Sequence, residues 1–357
     1  MAVFEATAVK LTLALFVLAT ASGCSTLAYY GQAIAGHVEV MHARRPLQQV
    51  IDDPTTVKTV REKLVLASKA RQFAVRELGL PDNGSYSTYA DLGRRFVVWN
   101  VVATPEFSFS PKQWCYPFTG CLAYRGFYRR ADAKAQAERL RAAGFDVTTG
   151  GVRAYSTLGW FSDPVLSTML EPARPYLAGV IFHELTHEHI YVQGDSKFNE
   201  SLATFVEHEG TQRWLVEQAD DVLRQRHHGR LKRRQQFLLL VERYQQRLRR
   251  LYRSPVSQQQ MRLDKTQLFA AMRDDYHRLS SHWSEPGAYA RFFDEDLNNA
   301  RLASVATYFE WLPAFARLFD EVGGNFPRFY ERCAALAKMS MEERHRRMNA
   351  LAGGTTL

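Results

Sequence analysis

The segment Ile181–His187 reads Ile-Phe-His-Glu-Leu-Thr-His, and this stretch decides which kind of fold the chain must build. It is an H-E-x-x-H pattern in which His183 and His187 stand four positions apart. Four residues advance an α-helix by about 40° beyond one full turn, so both imidazoles point to the same side. Two imidazoles on one face can share a zinc ion, which takes histidine nitrogens at about 2.0–2.1 Å. Glu184 would lie beside that ion, placed to act as a general base toward a water.

A catalytic zinc needs a third protein ligand, and the segment after the motif contains two candidates. Asp195 or Ser196 can cap a second helix, which places Glu200 in its first turns. Glu207 lies two turns further along, on roughly the same face of that helix. From the residues alone, both glutamates are candidate ligands, and if Glu200 binds the metal, Glu207 would orient a ligand from behind.

The composition excludes several classes of protein. The chain has 357 residues, of which 46% are hydrophobic and 12% are aromatic. A chain so rich in aromatic residues can bury a core, so disorder as the main state is excluded. Its 21 glycines and 13 prolines are ordinary, which excludes collagen-like and low-complexity chains. Only the N-terminal segment approaches the character of a membrane span, so a protein with several spans is excluded.

The N-terminal segment has the layout of a secretory signal. Residues 11–19 form an apolar run behind Lys10 that is too short to cross a bilayer as a helix. Small residues and then Cys24 follow, which resembles a bacterial lipobox. We therefore expect Cys24 to be lipidated and the protein to be periplasmic, anchored to the outer membrane; a plain cleavable signal is the alternative. For an exported protein, we do not expect nucleic acid as a partner.

The other cysteines and the charge distribution suggest two further features. Cys115 and Cys121 could form a small-loop disulfide in an oxidising compartment, or remain reduced within a turn. Residues 224–253 are strongly basic, with an apolar stripe at near-heptad spacing, and they belong to a basic helical arm at about residues 215–255. This stretch is either a helical arm that contacts anionic lipid or the solvated face of a packed helix. A break at His227–Gly229 could divide it into two helices.

The remaining patterns predict a mostly helical chain of the α+β class. Residues 55–79 repeat apolar positions at helical spacing, and residues 96–102 are rich in β-branched and aromatic residues typical of a strand. Residues 145–148 and 152–158 flank two glycines and predict a hairpin. Almost everything from residue 172 onward has a helical pattern. Strands followed by helices without regular alternation indicate a small antiparallel sheet beside a helical region.

The pair Asn199-Glu200, with the residues that follow up to Glu207, resembles the second helix of the gluzincin metallopeptidases as zinc aminopeptidases carry it. In many gluzincins the glutamate of an Asn-Glu pair is the third zinc ligand. The resemblance therefore implies Glu200 as the ligand, with Glu207 behind it. One departure keeps Glu207 in competition: only twelve residues separate His187 from Glu200, whereas the longer loop of better-known gluzincins would reach Glu207.

A broader resemblance covers about residues 24–335 and concerns a family of predicted zinc aminopeptidases found as bacterial lipoproteins. It is carried by residues 155–164, the H-E-x-x-H helix, residues 194–209 and the run Asn298–Leu302. It implies a predominantly helical zincin-type metallopeptidase with a small antiparallel sheet before the active-site helix. Zinc would be the cofactor, and peptides would be the substrates. The expected organisation is a lipoprotein signal peptide (1–23), a tether and N-terminal helix (24–54), and a zinc metallopeptidase domain (55–357).

The resemblance also implies roles around the cleft. Residues 152–159 would form the strand that binds the substrate backbone, and Tyr308 would stabilise the oxyanion. The Gly-x-Met-Glu-Asn signature with which many zinc aminopeptidases hold the substrate ammonium is absent, and Asp163 is the expected substitute. Arg301 would bind a carboxylate or pair with an acidic neighbour. The expected substrate-binding residues are Tyr155, Asp163, Asn299 and Arg301.

Two other functions stay open at this point. One is a zinc endopeptidase, and the other is a non-catalytic envelope lipoprotein in which a structural zinc holds two helices together. A structural zinc site is closed by four protein ligands and needs no base. A site that used Glu200 together with Glu207 would favour the structural role, whereas three ligands would favour catalysis.

Overall fold

A computed structural model gives the fold of residues 28–116, 120–170, 174–306 and 311–353. Helices account for 62% and strands for 11%, which confirms the α+β class and the predominance of helix. The strands are β1 (Arg44–Pro46), β2 (Thr88–Ala90), β3 (Val98–Pro105), β4 (Trp114–Tyr116), β5 (Gly120–Leu122), β6 (Arg125–Phe127), β7 (Phe145–Val152) and β8 (Val165–Leu166).

The helices divide into a set that precedes the H-E-x-x-H segment and a longer set that follows it. The first set is α1 (residues 28–42), α2 (Leu47–Asp52), α3 (Lys58–Leu78) and α4 (Arg130–Ala142). The second set is α5 (Arg174–His189), α6 (Ser196–Glu217), α7 (Asp221–Tyr252), α8 (Gln258–Ser280), α9 (Ala290–Asp294), α10 (Asn299–Ala306), α11 (Leu312–Glu321), α12 (Phe326–Ala337) and α13 (Met341–Leu351).

The strands of the described residues form three small sheets. An antiparallel sheet has the order β6-β3-β7, and a second sheet has the order β1-β2-β8 with an antiparallel and a parallel pair. The strands β4 and β5 form a separate two-stranded hairpin. In the first sheet, β7 pairs with β3 over eight positions and forms one edge.

The hairpin predicted around Gly150 and Gly151 is wrong, because both glycines lie inside the continuous strand β7. They pair with Asn100 and Trp99 of β3. A Cβ on Gly151 would stand 2.4 Å from the ring of Phe96, so this glycine makes room for an aromatic ring rather than for a turn. Residues 153–158 form no strand, so the strand predicted over 152–159 is also wrong beyond Val152.

The main core lies where α3, α5 and α6 meet the C-terminal helices. Phe182 of α5 and Phe198 of α6 are fully buried there, together with Phe315 and Phe329. This core holds the H-E-x-x-H helix on its apolar side and fixes the position of its polar side.

A second core lies between α7 and α8. Phe237 and Leu248 of α7 are buried against Met272 and Tyr276 of α8. Helix α7 runs through His227–Gly229 without interruption, so the predicted break is absent. The packed-helix alternative describes this part of the basic stretch, because α7 is buried against α8 from Phe237 to Leu248. Among the described helices, none combines the length and the apolar character needed to cross a bilayer.

Candidate active site

The two motif histidines and Glu200 come together at the interface of α5 and α6. The Nε2 atoms of His183 and His187 are 3.2 Å apart. Oε2 of Glu200 lies 3.4 Å from Nε2 of His183 and 3.8 Å from Nε2 of His187. Ligands at about 2.0–2.1 Å in a tetrahedral arrangement stand about 3.3 Å from one another. The three ligand atoms therefore lie at the separations that one small ion requires, and they form a group that could hold a metal ion.

Glu207 approaches the same histidine from behind. Its Oε2 atom lies 3.3 Å from Nδ1 of His183, the ring nitrogen opposite to the one that faces Glu200. A carboxylate in this position sets the tautomer and the orientation of a ligand imidazole. Gly179 permits the approach, since a Cβ there would stand 3.1 Å from Cγ of Glu207. Glu207 thus contacts the outer ring nitrogen of His183, the position that an orienting carboxylate would take, and it is not one of the three residues whose atoms could share an ion.

Asn199, the other half of the Asn-Glu pair, ties α6 to the loop that joins it to α5. Its side chain accepts a hydrogen bond from N–H of Val192 and donates one to the carbonyl of Val192, both at 2.8 Å. The amide is 1% exposed, so both contacts are shielded from water. Asn199 therefore anchors the residue before the ligand rather than contacting the ligands.

Asp195 begins α6 and connects it to the last helix. One of its carboxylate oxygens caps the helix by accepting from N–H of Phe198 at 3.1 Å. The other accepts from Nε of Arg344 at 2.8 Å and lies 3.0 Å from Nε2 of His345. Burial works against the charge of Asp195, but these hydrogen bonds outweigh it and lower its pKa. The first turn of the helix that carries Glu200 is thus held by a buried ion pair.

Burial and mutual contact control the protonation of the site. Burial lowers the pKa of His187 to about 4, so its ring is neutral and able to bind a metal at pH 7. Burial also acts to lower the pKa of His183, but hydrogen bonds to Glu200 and Glu207 outweigh it and raise the pKa to about 10. A cation that binds here must displace the proton on His183. Burial raises the pKa of Glu184 to about 8, which suits a group that takes up a proton and returns it.

The group of His183, His187 and Glu200, called the metal-binding group below, opens into a cavity of about 660 Å³. Glu184 lines it, and so does the last part of β7 around Val152. Seven tyrosines contribute to the wall: Tyr29, Tyr116, Tyr124, Tyr128, Tyr155, Tyr176 and Tyr191. Glu207 also lines this cavity. Three arginines supply the remaining charged side chains of the described lining: Arg153, Arg230 and Arg234. An adjoining cavity of about 570 Å³ shares Glu200 and Val152 with the first one.

The predicted substrate-binding residues do not all lie in these cavities. Tyr155 lines the metal cavity, where its hydroxyl lies 3.0 Å from Nδ1 of His37. Asp163 lies outside it and is 3% exposed, with its carboxylate accepting from N–H of Thr157 at 2.7 Å. Burial raises the pKa of Asp163 to about 7, against the effect of those hydrogen bonds. Asp163 is therefore engaged in holding its own loop and does not face the cavity.

Asn299 and Arg301 also have structural partners. Asn299 is fully buried, and its side chain accepts from the hydroxyl of Tyr252 at 2.8 Å and donates to the carbonyl of Glu106 at 2.9 Å. Arg301 forms an ion pair of 2.5 Å with Glu295 and lines the adjoining cavity. Arg301 therefore pairs with an acidic neighbour, which was one of its two predicted roles. The neighbour, Glu295, is a residue that the sequence analysis did not single out.

Four predicted residues remain to be placed. Cys115 and Cys121 face each other across the β4–β5 pair and are joined by a disulfide bond. Gly120 in this hairpin has a φ of +74°, and a Cβ there would stand 2.8 Å from the backbone nitrogen of Gly194. The hairpin therefore packs closely on the loop between α5 and α6. Cys24 and Tyr308 lie outside the described residues.

The sequence did not single out several residues that line the cavity. Arg230 and Arg234 belong to the basic stretch, and their spacing of four places them on one face of α7. Nη1 of Arg234 lies 2.8 Å from Nε2 of His208, a residue of α6. The spacing predicts that the two arginines share a face of α7, but nothing in the sequence indicates which face of α7 turns toward α5 and α6. Tyr124 comes from the turn after β5, where no pattern distinguished it.

Comparison with known proteins agrees with this site. The model of the family described as "Putative aminopeptidase" matches residues 28–348, so the chain belongs to that family. No curated protein and no solved structure matches the chain. Family membership implies a peptide substrate, and the matched range contains every residue of the His-His-Glu group.

Proposed function

We propose that the protein is a zinc-dependent aminopeptidase that removes N-terminal residues from peptides by hydrolysis. The observation that carries the proposal is the triangle of ligand atoms of His183, His187 and Glu200 beside the half-buried Glu184, in a chain of an aminopeptidase family. Two imidazole nitrogens and one carboxylate oxygen are a donor set that zinc uses in catalytic sites. Three protein ligands leave a fourth position for water or substrate, as catalysis requires.

The position of Glu207 supports catalysis over a purely structural metal. Glu207 contacts Nδ1 of His183 and does not belong to the group of three that could share an ion. The closed arrangement in which Glu200 and Glu207 both bind the metal is therefore not favoured by this geometry. A half-buried carboxyl such as Glu184, whose pKa is raised to about 8 by desolvation, has no evident use in a structural site.

The residues of the chain suggest how the reaction proceeds. A bound zinc ion would lower the pKa of a water and polarise the substrate carbonyl. Glu184 would take a proton from the attacking water and return it to the leaving amine. Burial keeps the pKa of Tyr124 well above its usual range, so its hydroxyl keeps a proton that it could donate to the developing oxyanion. The edge strand β7, which lines both cavities through Val152, could bind the substrate backbone by strand addition.

We also propose that the protein acts in the periplasm, anchored through lipidated Cys24 to the outer membrane. The lipobox-like sequence supports the anchor, and the disulfide between Cys115 and Cys121 supports an oxidising compartment. Replacing Cys24 by Ser should move the protein from the membrane fraction to the soluble fraction. Retention of the Cys24→Ser protein in the outer membrane would count against this anchor.

The central test compares full-length wild type with Glu184→Gln on matched peptides. One peptide of each pair has a free N-terminus, and the other is N-acetylated. We expect cleavage of the free peptides only, one zinc ion per chain in both proteins, and a loss of about 10²- to 10⁴-fold in kcat for Glu184→Gln. Glu242→Gln on the exposed face of α7 is the matched control and should retain full activity.

The other outcomes separate the alternatives. Equal cleavage of acetylated peptides would indicate an endopeptidase. Zinc in both proteins without cleavage of any peptide would favour the structural-zinc lipoprotein.

A further inference from the structure

Helix α7 brings two arginines to the wall of the metal cavity. Arg230 and Arg234 are one helical turn apart, and both line the cavity with Glu207 and Tyr176. The guanidinium of Arg230 lies 5.7 Å from the centre of the Tyr176 ring. This half of α7 therefore belongs to the cavity, although the rest of the helix packs on α8.

The two arginines differ in how they are held. Burial lowers the pKa of His208 to about 3, so its neutral ring can accept a hydrogen bond from the Arg234 guanidinium 2.8 Å away. Arg234 is thereby fixed in the wall. Arg230 is half-buried, and among the described residues it forms no ion pair with an aspartate or a glutamate. A guanidinium over a tyrosine ring at a cavity wall keeps its donors available for a planar anion.

The charges of the cavity show which ligand would complement it. Its carboxylates are Glu184, Glu200 and Glu207, and each has a task at the metal-binding group. Three guanidinium groups line the same cavity, so a divalent ion would leave it with an excess of positive charge. This positive charge would attract a substrate that carries a carboxylate beyond the scissile bond. It would repel a substrate that carries a cationic side chain in addition to its N-terminal ammonium.

We propose that Arg230, supported by Arg234, forms a subsite that binds a carboxylate of the peptide substrate. This inference rests on the proposed function and names its substrate class. The carboxylate is either an acidic side chain or the C-terminal carboxylate of a short peptide. Arginine binds carboxylates through two parallel hydrogen bonds, which adds geometric selection to the attraction. A cavity of about 660 Å³ has a size suited to a short peptide.

The experiment uses two pairs of peptides that differ only in one carboxylate. Ala-Ala-Ala is compared with its C-terminal amide, which tests the terminal carboxylate. Ala-Glu-Ala amide is compared with Ala-Gln-Ala amide, which tests the side chain. In wild type we expect kcat/KM to be about 10- to 100-fold higher for the carboxylate member of one pair.

The variants assign that preference to Arg230. In Arg230→Gln the ratio should fall to less than about 2, through a higher KM for the carboxylate peptide and little change for the amide. Arg230→Lys should restore part of the ratio, because it keeps the charge and loses the two-pronged geometry. Arg243→Gln, at an exposed position further along α7, is the matched control and should behave as wild type.

A binding measurement separates this inference from the proposed function. Titration calorimetry of the same four peptides with full-length Glu184→Gln reports affinity without turnover. Tighter binding of a carboxylate peptide, lost in the Glu184→Gln, Arg230→Gln double variant, would support the subsite even if wild type hydrolysed nothing. Hydrolysis of all four peptides at equal kcat/KM would uphold the proposed function and overturn the subsite. An equal loss on all peptides in Arg230→Gln would also overturn it.

Discussion

Two helix pairs of this protein, α5 with α6 and α7 with α8, are connected by short loops but bury different kinds of side chain. The first pair encloses His187, Glu200 and Glu207 between its helices. The second encloses Leu248, Met272 and other apolar side chains, and it keeps most of its charges on the outside. Both pairs gain free energy from apolar burial, but the first also bears the cost of enclosing a cluster of charged groups.

The difference teaches where function lies in a helical protein. An apolar stripe with charges outside is the arrangement that stability alone would favour, and α7 with α8 follows it. The largely buried histidines and carboxylates between α5 and α6 persist because they partner one another and, as we propose, a metal ion. Departure from the simple pattern thus marks the site, and substitutions in the two pairs should have different consequences.

The largest expected difference in stability concerns the two aspartates that cap α6 and α7. Asp195 accepts from N–H of Phe198, and Asp220 accepts from N–H of Leu223 at 2.9 Å. Asparagine is as good a cap as aspartate, so Asp220→Asn should change the free energy of unfolding by less than about 1 kcal/mol. Asp195→Asn leaves the buried Arg344 without the charge that pairs with it and should cost about 3–5 kcal/mol. Urea unfolding of both variants measures the contrast.

The same aspartate should make the contrast depend on pH. The folded-state pKa of Asp195 is lowered, so its ion pair stabilises the protein fully above the usual aspartate value of 3.8 and loses this contribution progressively as the pH falls from there through the lowered folded-state pKa. The difference in unfolding free energy between wild type and Asp195→Asn should shrink as the pH is lowered from 6 toward about 3. A difference that stays constant over that range would contradict the role of the buried ion pair.

The second prediction concerns the apolar helix pair. Leu248 is fully buried between α7 and α8, and Leu248→Ala should lower the free energy of unfolding by about 2–5 kcal/mol. Because Leu248 contributes to the second core and not to the metal-binding group, the zinc affinity of the folded variant should stay within about twofold of wild type. A large drop in zinc affinity would show that the two pairs are coupled more tightly than their separate cores suggest.

The smallest of the three effects concerns Glu207 of the α5–α6 pair. It tests whether Glu207 orients His183 or binds the metal directly. Glu207→Gln removes the charge that faces Nδ1 of His183, and zinc affinity should fall by about 10- to 100-fold. Glu209→Gln is the control, because Glu209 lies on the same helix and pairs with Arg213 instead. Competition with a chelator of known affinity measures both. Loss of all zinc binding in Glu207→Gln would instead favour Glu207 as a direct ligand.

Much of the candidate site could be predicted because it is local in the sequence. The helical spacing of His183 and His187 requires only helix geometry, and the resemblance of the adjacent pair Asn199-Glu200 to a gluzincin helix implied Glu200. The structure brings these three side chains together. The hairpin predicted at Gly150 and Gly151 is wrong because its cause is not local. Gly151 is required by the close packing of the Phe96 ring, which belongs to a distant segment of the chain.

The sequence by itself determined the chemistry of this protein: which side chains can bind a metal, which one can act as a base, and which faces of the helices are apolar. These properties depend on residue type and on spacing within one helix, which the chain carries before it folds. Only the tertiary structure decided that Glu207 lies behind His183 and that Arg230 enters the cavity. Those positions depend on how α6 and α7 are rotated against α5, and packing of all the helices together sets that rotation.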